Sequence, residues 1–143
     1  MESPRPVPPY LRVVEVSAWE NGWKSRALCS GVIPMPLWEA DCTKRLETIR
    51  DIPPGKCIYW FERTDMVKAF EVLGDVVALR GNISPSLLTT GTPDEVDAAV
   101  RHLAENVFHK GGKLILDAAF GLPDETPVEN ARAMYRAARK YAS

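Results

Sequence analysis

An α/β fold built on a parallel sheet is predicted by three features of the chain. Short, nearly continuous apolar runs alternate with amphipathic helical stripes. Each stripe ends at Gly or Pro, and the later ones open on Thr-Pro-x-Glu. The unit of strand followed by helix recurs four times between residue 31 and the C-terminus. Strands that are apolar throughout are buried on both faces, which is the habit of parallel rather than antiparallel sheets. At 143 residues, 45% hydrophobic and 26% charged, the chain is long enough to bury a core of its own.

Residues 1 to 10 carry four prolines and read as an extended tail. Leu11-Arg12-Val13-Val14-Glu15-Val16 alternates as a strand does, and Glu20-Asn21-Gly22 is turn-prone. Gly31 to Trp38 is the first long apolar run, although Pro34 and Pro36 would break a central ladder. Cys42, Leu46 and Ile49 lie at i, i+4 and i+7, a helix stopped by Pro53-Pro54-Gly55. Cys57-Ile58-Tyr59-Trp60-Phe61 is the second strand; Met66, Phe70 and Leu73 form the next stripe, ending at Gly74. Val76 to Arg80 is the third strand. Thr92-Pro93-Asp94-Glu95 offers a cap, a proline at the first helical position and the closing Glu of a capping box. Val96, Ala99, Val100, Leu103 and Val107 give that helix its apolar stripe, and Gly111-Gly112 terminates it. Lys113 to Asp117 is the fourth strand. Thr126-Pro127-Val128-Glu129 repeats the capping box before a last helix with Val128, Ala131, Met134, Ala138 and Tyr141 on one face.

Two architectures share this order, an open doubly wound sheet and part of a (β/α)₈ barrel. A complete barrel takes about 250 residues, more than this chain holds. In both, ligands meet the C-terminal ends of the strands. That rule selects Trp38, Glu39 and Asp41, then Glu62, Arg63 and Asp65, then Arg80 and Asn82, and finally Asp117 and Phe120. Arg80 beside Gly81 and Asn82 either binds a carboxylate or phosphate through its guanidinium fork or pairs with Asp65 or Asp117 as a structural ion pair. The acids could serve in acid–base chemistry, but for Asp41 and Asp65 helix capping is the stronger reading.

The remaining composition excludes more than it proposes. With 18 Lys and Arg against 19 Asp and Glu, there is no global attraction to nucleic acid. The aromatics Trp19, Trp23, Trp38, Tyr59, Trp60 and Phe61 therefore read as core or interface. No apolar run reaches the roughly 18 residues of a membrane span, and the N-terminus lacks a signal-peptide pattern, so a cytoplasmic protein is expected. Cys29, Cys42 and Cys57 form no CxxC pair and are expected as reduced structural thiols. His102 and His109 flank the stripe of one helix and suit surface or helix-end roles. No GxGxxG or Walker loop occurs.

The segment Gly81-Asn82-Ile83-Ser84-Pro85-Ser86-Leu87-Leu88-Thr89-Thr90-Gly91-Thr92-Pro93-Asp94-Glu95-Val96 resembles the "GN-x-x-P-x-x-L-x-x-GTPEEV" stretch of the uroporphyrinogen decarboxylase family. Thr64 to Phe70 with Leu73-Gly74-Asp75 is similar to that family's preceding helix. Thr126-Pro127-Val128-Glu129-Asn130, continuing to Met134, is similar to its closing "TP-x-EN-x-x-AM" helix. The resemblance implies the C-terminal half of a TIM (β/α)₈ barrel, about four parallel βα units over residues 31–143, with residues 1–30 as a tail and irregular or edge segment. It implies decarboxylation of tetrapyrrole carboxylates without a cofactor, or zinc-dependent methyl transfer to thiols or corrinoids.

Residue by residue, the implied zinc positions fall on Trp38, Ala40 and Phe120, none of them a ligand, so no metal and no cofactor are expected. Phe120 also stands where the decarboxylases carry a substrate-facing His. If substrate binds, Arg80 would hold its carboxylate, with Asn82, Asp65 or Asp117 orienting it and Phe120 alongside. The alternatives are a non-catalytic half-barrel subunit or assembly module, and a methyltransferase-like protein that has lost its zinc site. A half-barrel alone would turn one side of its strands, with residues such as Val77, Leu79, Leu114 and Leu116 alternating in and out, toward water. The chain is therefore expected to form a homo-oligomer or to pair with an N-terminal half-barrel.

Overall fold

Five strands, all parallel, lie side by side in the order in which the chain makes them. They are β1 (Val13–Ser17), β2 (Ile33–Trp38), β3 (Ile58–Phe61), β4 (Ala78–Ile83) and β5 (Leu114–Ala118). A 3₁₀ turn (Thr43–Arg45) running into α1 (Leu46–Ile49) joins β2 to β3, and α2 (Met66–Leu73) joins β3 to β4. α3 (Pro85–Thr90) and α4 (Pro93–Leu103), the latter prolonged by a π-helical turn (Ala104–Phe108), join β4 to β5, and α5 (Val128–Tyr141) follows. This is the wall of a (β/α)₈ barrel, half of the closed fold. The computed structural model describes residues 31–142 and, as backbone, 13–17. The proline-rich tail, the Glu20-Asn21-Gly22 turn, Trp19, Trp23 and Cys29 lie outside the described residues.

β2 is a central strand despite its two prolines. The backbone N–H of Glu62 bonds to the Trp38 carbonyl, so Trp38 faces β3 with its backbone polar groups. By the period of two, Pro34 and Pro36 face β3 as well. Their missing donors therefore fall on one side only, and the β2–β3 ladder is confined to Leu37 opposite Trp60 and Trp38 opposite Phe61. The other side pairs with β1 over the full strand. The proline rule holds ladder by ladder rather than strand by strand.

The helix-covered face carries the main core. Tyr59, Phe61, Leu79, Leu88, Val96 and Val107 are fully enclosed there, with Leu114 and Leu116 packed against them. The expectation that Val77, Leu79, Leu114 and Leu116 alternate between the two sides is corrected: all four belong to the helix side. Val77 precedes β4, and the alternate β4 positions Ala78, Arg80 and Asn82 point the other way. On that inner face, Met35, Ile58 and Trp60 form a second, smaller cluster with Ile33, Leu37 and Ala78.

Capping separates the helices that the sequence marks well from those it does not. The Asp65 carboxylate accepts from the N–H groups of Val67 and Lys68 at 3.0 and 3.1 Å and opens α2. Thr92 and Glu95 form the reciprocal capping box of α4. The second expected box does not form. α5 begins at Val128, so Thr126 stands a residue too early to cap it, and Glu129 pairs with Arg132 instead. Val128 is 62% exposed and lies off the buried stripe, which runs through Asn130, Ala137 and their neighbours.

Asn130 is the buried polar side chain that binds the last helix to the rest. Its amide donates to the Leu88 carbonyl at 3.0 Å and the Gly91 carbonyl at 2.8 Å, clamping the turn between α3 and α4. Asn130→Ala leaves two enclosed carbonyls without a donor, and a loss of about 3 kcal/mol is expected in urea unfolding.

At the other end of α5, the Tyr141 hydroxyl donates to Asp97 at 2.7 Å. This bond, ahead of the nearby Lys140 charge, holds the Asp97 carboxyl below its ordinary value. A carboxyl depressed in the folded state stabilises the fold above its unfolded pKa, and that contribution is lost as pH falls through the folded value. Asp97→Asn should therefore lower the melting temperature at pH 7, and the difference should close as pH falls below the ordinary carboxylate range.

Candidate functional site at the inner face of the sheet

Among the described residues the inner face offers one charged cluster, and strand register builds it. Arg80 in β4 sits opposite Trp60 in β3 and Ile115 in β5, two residues short of Asp117. Its guanidinium carbon lies over the Trp60 ring, 3.8 Å from the centroid. Nε and Nη2 both reach Asp117 Oδ2, at 2.8 and 2.6 Å, and Nη1 points at the Met35 sulfur at 3.1 Å. Asp117 is fixed in turn, its Oδ1 accepting from the Ala118 N–H at 2.8 Å. The Trp60 indole N–H reaches past β4 to the Ala118 carbonyl at 3.4 Å. The side chains of Arg80 and Asp117 remain 22% and 25% exposed, so a ligand can reach the pair from the inner side.

Of five N–H donors on a guanidinium, Asp117 takes two and the Met35 sulfur, a weak acceptor, takes a third. One donor on each terminal nitrogen is left for an anion. Stacking on Trp60 holds the fork in a plane and removes much of the rotamer freedom an Arg would lose on binding.

The other sequence-selected residues divide cleanly. Asn82 lies on the same face as Arg80, and its amide donates to the Thr64 carbonyl at 2.7 Å. Asp65, selected as an orienting acid, caps α2 and is not joined to Arg80. Phe120 stands 51% exposed in the loop after β5. Asp41 accepts from the N–H and hydroxyl of Thr43, and the hydroxyl bond above all holds its carboxyl low. Glu62 accepts from the Ala40 N–H and contacts Arg63 at 3.3 Å, closing the loop after β2 onto the loop after β3. Cys42 is buried, and burial pushes its thiol up, away from the thiolate. His102 and His109 are exposed, and His109 Nε2 lies 2.8 Å from the Tyr141 carbonyl at the end of α5.

Three members of the site escaped sequence reasoning: Trp60 and Met35, which read as core, and Thr64. The register of an isolated strand cannot be known from its composition. A pairing of Trp60 with Arg80 was the signal, and it lies in the relation between two strands. Thr64 is 1% exposed; its hydroxyl accepts from the Cys42 N–H at 2.9 Å while its carbonyl receives Asn82.

Gly81 and Asn82 belong to β4, which runs on to Ile83 instead of ending at Arg80 as expected. A Cβ on Gly81 would sit 2.6 Å from the Phe61 carbonyl oxygen, and φ is +122°. Gly81 therefore lets β4 approach β3 while its neighbours face inward. Ala40, at the C-terminal end of β2, has φ of +62°, a left-handed conformation that costs a residue with a Cβ about 1 kcal/mol. Ala40→Gly should raise stability by about 0.5 kcal/mol, and Gly81→Ala should lower it by more than about 2 kcal/mol, both read from chemical denaturation.

Comparison with known proteins decides the family. The model of the family described as uroporphyrinogen decarboxylase (URO-D) matches residues 26–141. The chain belongs to the uroporphyrinogen decarboxylase family. Curated relatives include the uroporphyrinogen decarboxylase of Synechococcus sp. (strain CC9605), 33% identical over 75 residues, which are 52% of this chain and 20% of the relative. That of Coxiella burnetii (strain RSA 493 / Nine Mile phase I) is 28% identical over 79 residues, 55% of this chain and 21% of the relative. The match thus spans about a fifth of these decarboxylases. A methyltransferase from Methanosarcina mazei shares the fold, with a TM-score of 0.64 at 22% identity over 85% of this chain and 36% of its own.

The zinc implied by the methyltransferase side of the sequence resemblance does not fit the residues present. The corresponding positions are Trp38, Ala40 and Phe120, and among the described residues no three His, Cys, Asp or Glu side chains converge. Among those residues, too, no helix is long and apolar enough to cross a membrane.

Proposed function

We propose that the chain forms the carboxylate-binding wall of a uroporphyrinogen decarboxylase-like barrel. The observation that carries this reading is the Arg80 guanidinium, laid on Trp60 and open to the inner side near the C-terminal end of β4. It offers two free N–H donors to one carboxylate of a polycarboxylate such as a tetrapyrrole with acetate side chains. Asp117 holds the fork in place and offsets part of its charge, which favours exchange of ligand over permanent capture. Asn82, tied to Thr64, borders the ligand on the C-terminal side. Phe120, half exposed in the loop after β5, supplies an apolar neighbour for a macrocycle in place of a titratable group.

In this reading the described residues bind and orient, and the groups that transfer protons during carbon–carbon cleavage stand on the remainder of the barrel. The resulting enzyme is a carboxy-lyase that works without a cofactor, in the cytoplasm. A second reading has its own support: Asp117 already fills the most favourable edge of Arg80, as it would in a non-catalytic assembly module.

Calorimetric titration with a tetrapyrrole polycarboxylate separates the two. Loss of charge-assisted hydrogen bonds worth about 1.5–3 kcal/mol predicts that Arg80→Ala weakens binding by roughly 10- to 100-fold, with an unchanged circular dichroism spectrum. Unchanged binding together with a lowered unfolding midpoint would leave Arg80 as part of the scaffold.

A further inference from the structure

A guanidinium on its own takes a phosphate as readily as a carboxylate, since both present oxygens at the spacing of its fork. The inner-face site differs from a lone guanidinium by the group already joined to it. Asp117 Oδ2 accepts from Arg80 Nε at 2.8 Å and from Nη2 at 2.6 Å, and Oδ1 accepts from the Ala118 N–H at 2.8 Å. Three bonds hold this carboxylate beside the fork when a ligand arrives, and its formal charge cancels that of Arg80. The other side chains described on this face, among them Met35, Ile58, Trp60, Asn82 and Ile115, carry no charge.

A ligand therefore meets a neutral pair with two free N–H donors, one on Nη1 and one on Nη2. A carboxylate is planar, its two oxygens match the two donors, and once bound it leaves one unbalanced negative charge. A phosphate dianion leaves two, with the Asp117 carboxylate fixed next to them. Its third oxygen also lacks a donor. The Trp60 indole N–H is turned to the Ala118 carbonyl, the Asn82 amide to the Thr64 carbonyl, and the Ala118 N–H to Asp117 itself. Phosphate sites ordinarily draw on backbone N–H groups at the N-terminus of a helix. This site lies on strands paired on both sides of Arg80, whose N–H groups run in the plane of the sheet.

We propose, resting on the Arg80 reading above, that Asp117 is a specificity-determining residue: joined to Arg80, it makes the site a receptor for a single carboxylate and turns away phosphate and phosphate esters. Charge and donor count act in the same direction. Without Asp117 the fork would regain its Nε edge and its full positive charge, and a dianion would then be the better-matched ligand. The sequence offers Asp117 as a structural partner or as an orienting acid; its selectivity comes from being both fixed and only partly buried, at 25% exposure, so that an arriving anion feels its charge.

Phenylacetate and phenyl phosphate form a matched pair of probes, alike in the ring and different in the anion. The full chain is titrated with each at about pH 8, where phenyl phosphate is a dianion, and the Arg80 Nε–H and Trp60 indole N–H signals are followed by NMR. The expected result is that phenylacetate binds at least about tenfold more tightly than phenyl phosphate. Asp117→Asn keeps the size of the side chain and an oxygen for Arg80 but removes the charge. It should narrow that ratio by at least about fivefold, chiefly because phenyl phosphate binds better. Phenyl phosphate binding to the native chain as tightly as phenylacetate would overturn the proposal, and so would an unchanged ratio in folded Asp117→Asn. If that variant unfolds, Asp117→Ser repeats the comparison, and the native ratio decides in either case. Binding of neither probe to the native chain or the variant is a different failure: it would overturn the Arg80 reading itself and the selectivity with it.

Discussion

A parallel strand can be followed by its neighbour only after a crossover, and crossovers of one hand put every helix on the same face of the sheet. Everything else in this molecule follows from that constraint. The helix side takes the large apolar side chains, from Tyr59 and Phe61 through Leu79 to Val107. The inner side must be closed by curvature and by whatever side chains point inward. Here they are Met35, Ile58, Trp60 and, between them and the edge, a charged residue. A guanidinium in that position is tolerable because three neighbours share it: the Trp60 face, the Asp117 carboxylate and the Met35 sulfur.

The residues that make the family recognisable are largely those that hold this wall together. Gly81 allows β4 to touch β3 at the Phe61 carbonyl, which is why a glycine precedes Asn82. Thr92, Pro93 and Glu95 start α4. Asn130 fastens α5 to the α3–α4 turn. Such residues serve the fold rather than any one chemistry carried out above it. The positions at which the sequence resemblance implies zinc ligands or a substrate-facing His, Trp38, Ala40 and Phe120, carry no titratable group.

How much of this was legible in the sequence depends on the range of the interaction involved. Local signals were readable: Asp65 and the Thr92–Glu95 box mark helix starts, and Gly111 with φ of +91° ends the π-helical turn where its glycine pair suggested. The strand at Val13–Ser17 was also within reach. Relations between strands were not. That Pro34 and Pro36 waste their missing donors on the same ladder depends on which way Trp38 faces. That Leu79 points to the helices and Arg80 to the interior is a single-residue register choice, invisible in a run of apolar residues. Thr126 satisfied the spacing rule for a cap and missed it by one residue of helix length.

The central claim is that the inner-face cluster of Arg80, Trp60 and Asp117 is a place where a carboxylate arrives. Nitrogen-15 NMR of the full chain titrated with a tetrapyrrole polycarboxylate tests it most directly. Both the Arg80 Nε–H and the Trp60 indole N–H report from the cluster, whereas the Trp38 indole sits against the helix-side core. The account predicts that the Arg80 and Trp60 signals shift together and saturate while the Trp38 signal stays in place. Saturable binding that leaves Arg80 and Trp60 unmoved would contradict it.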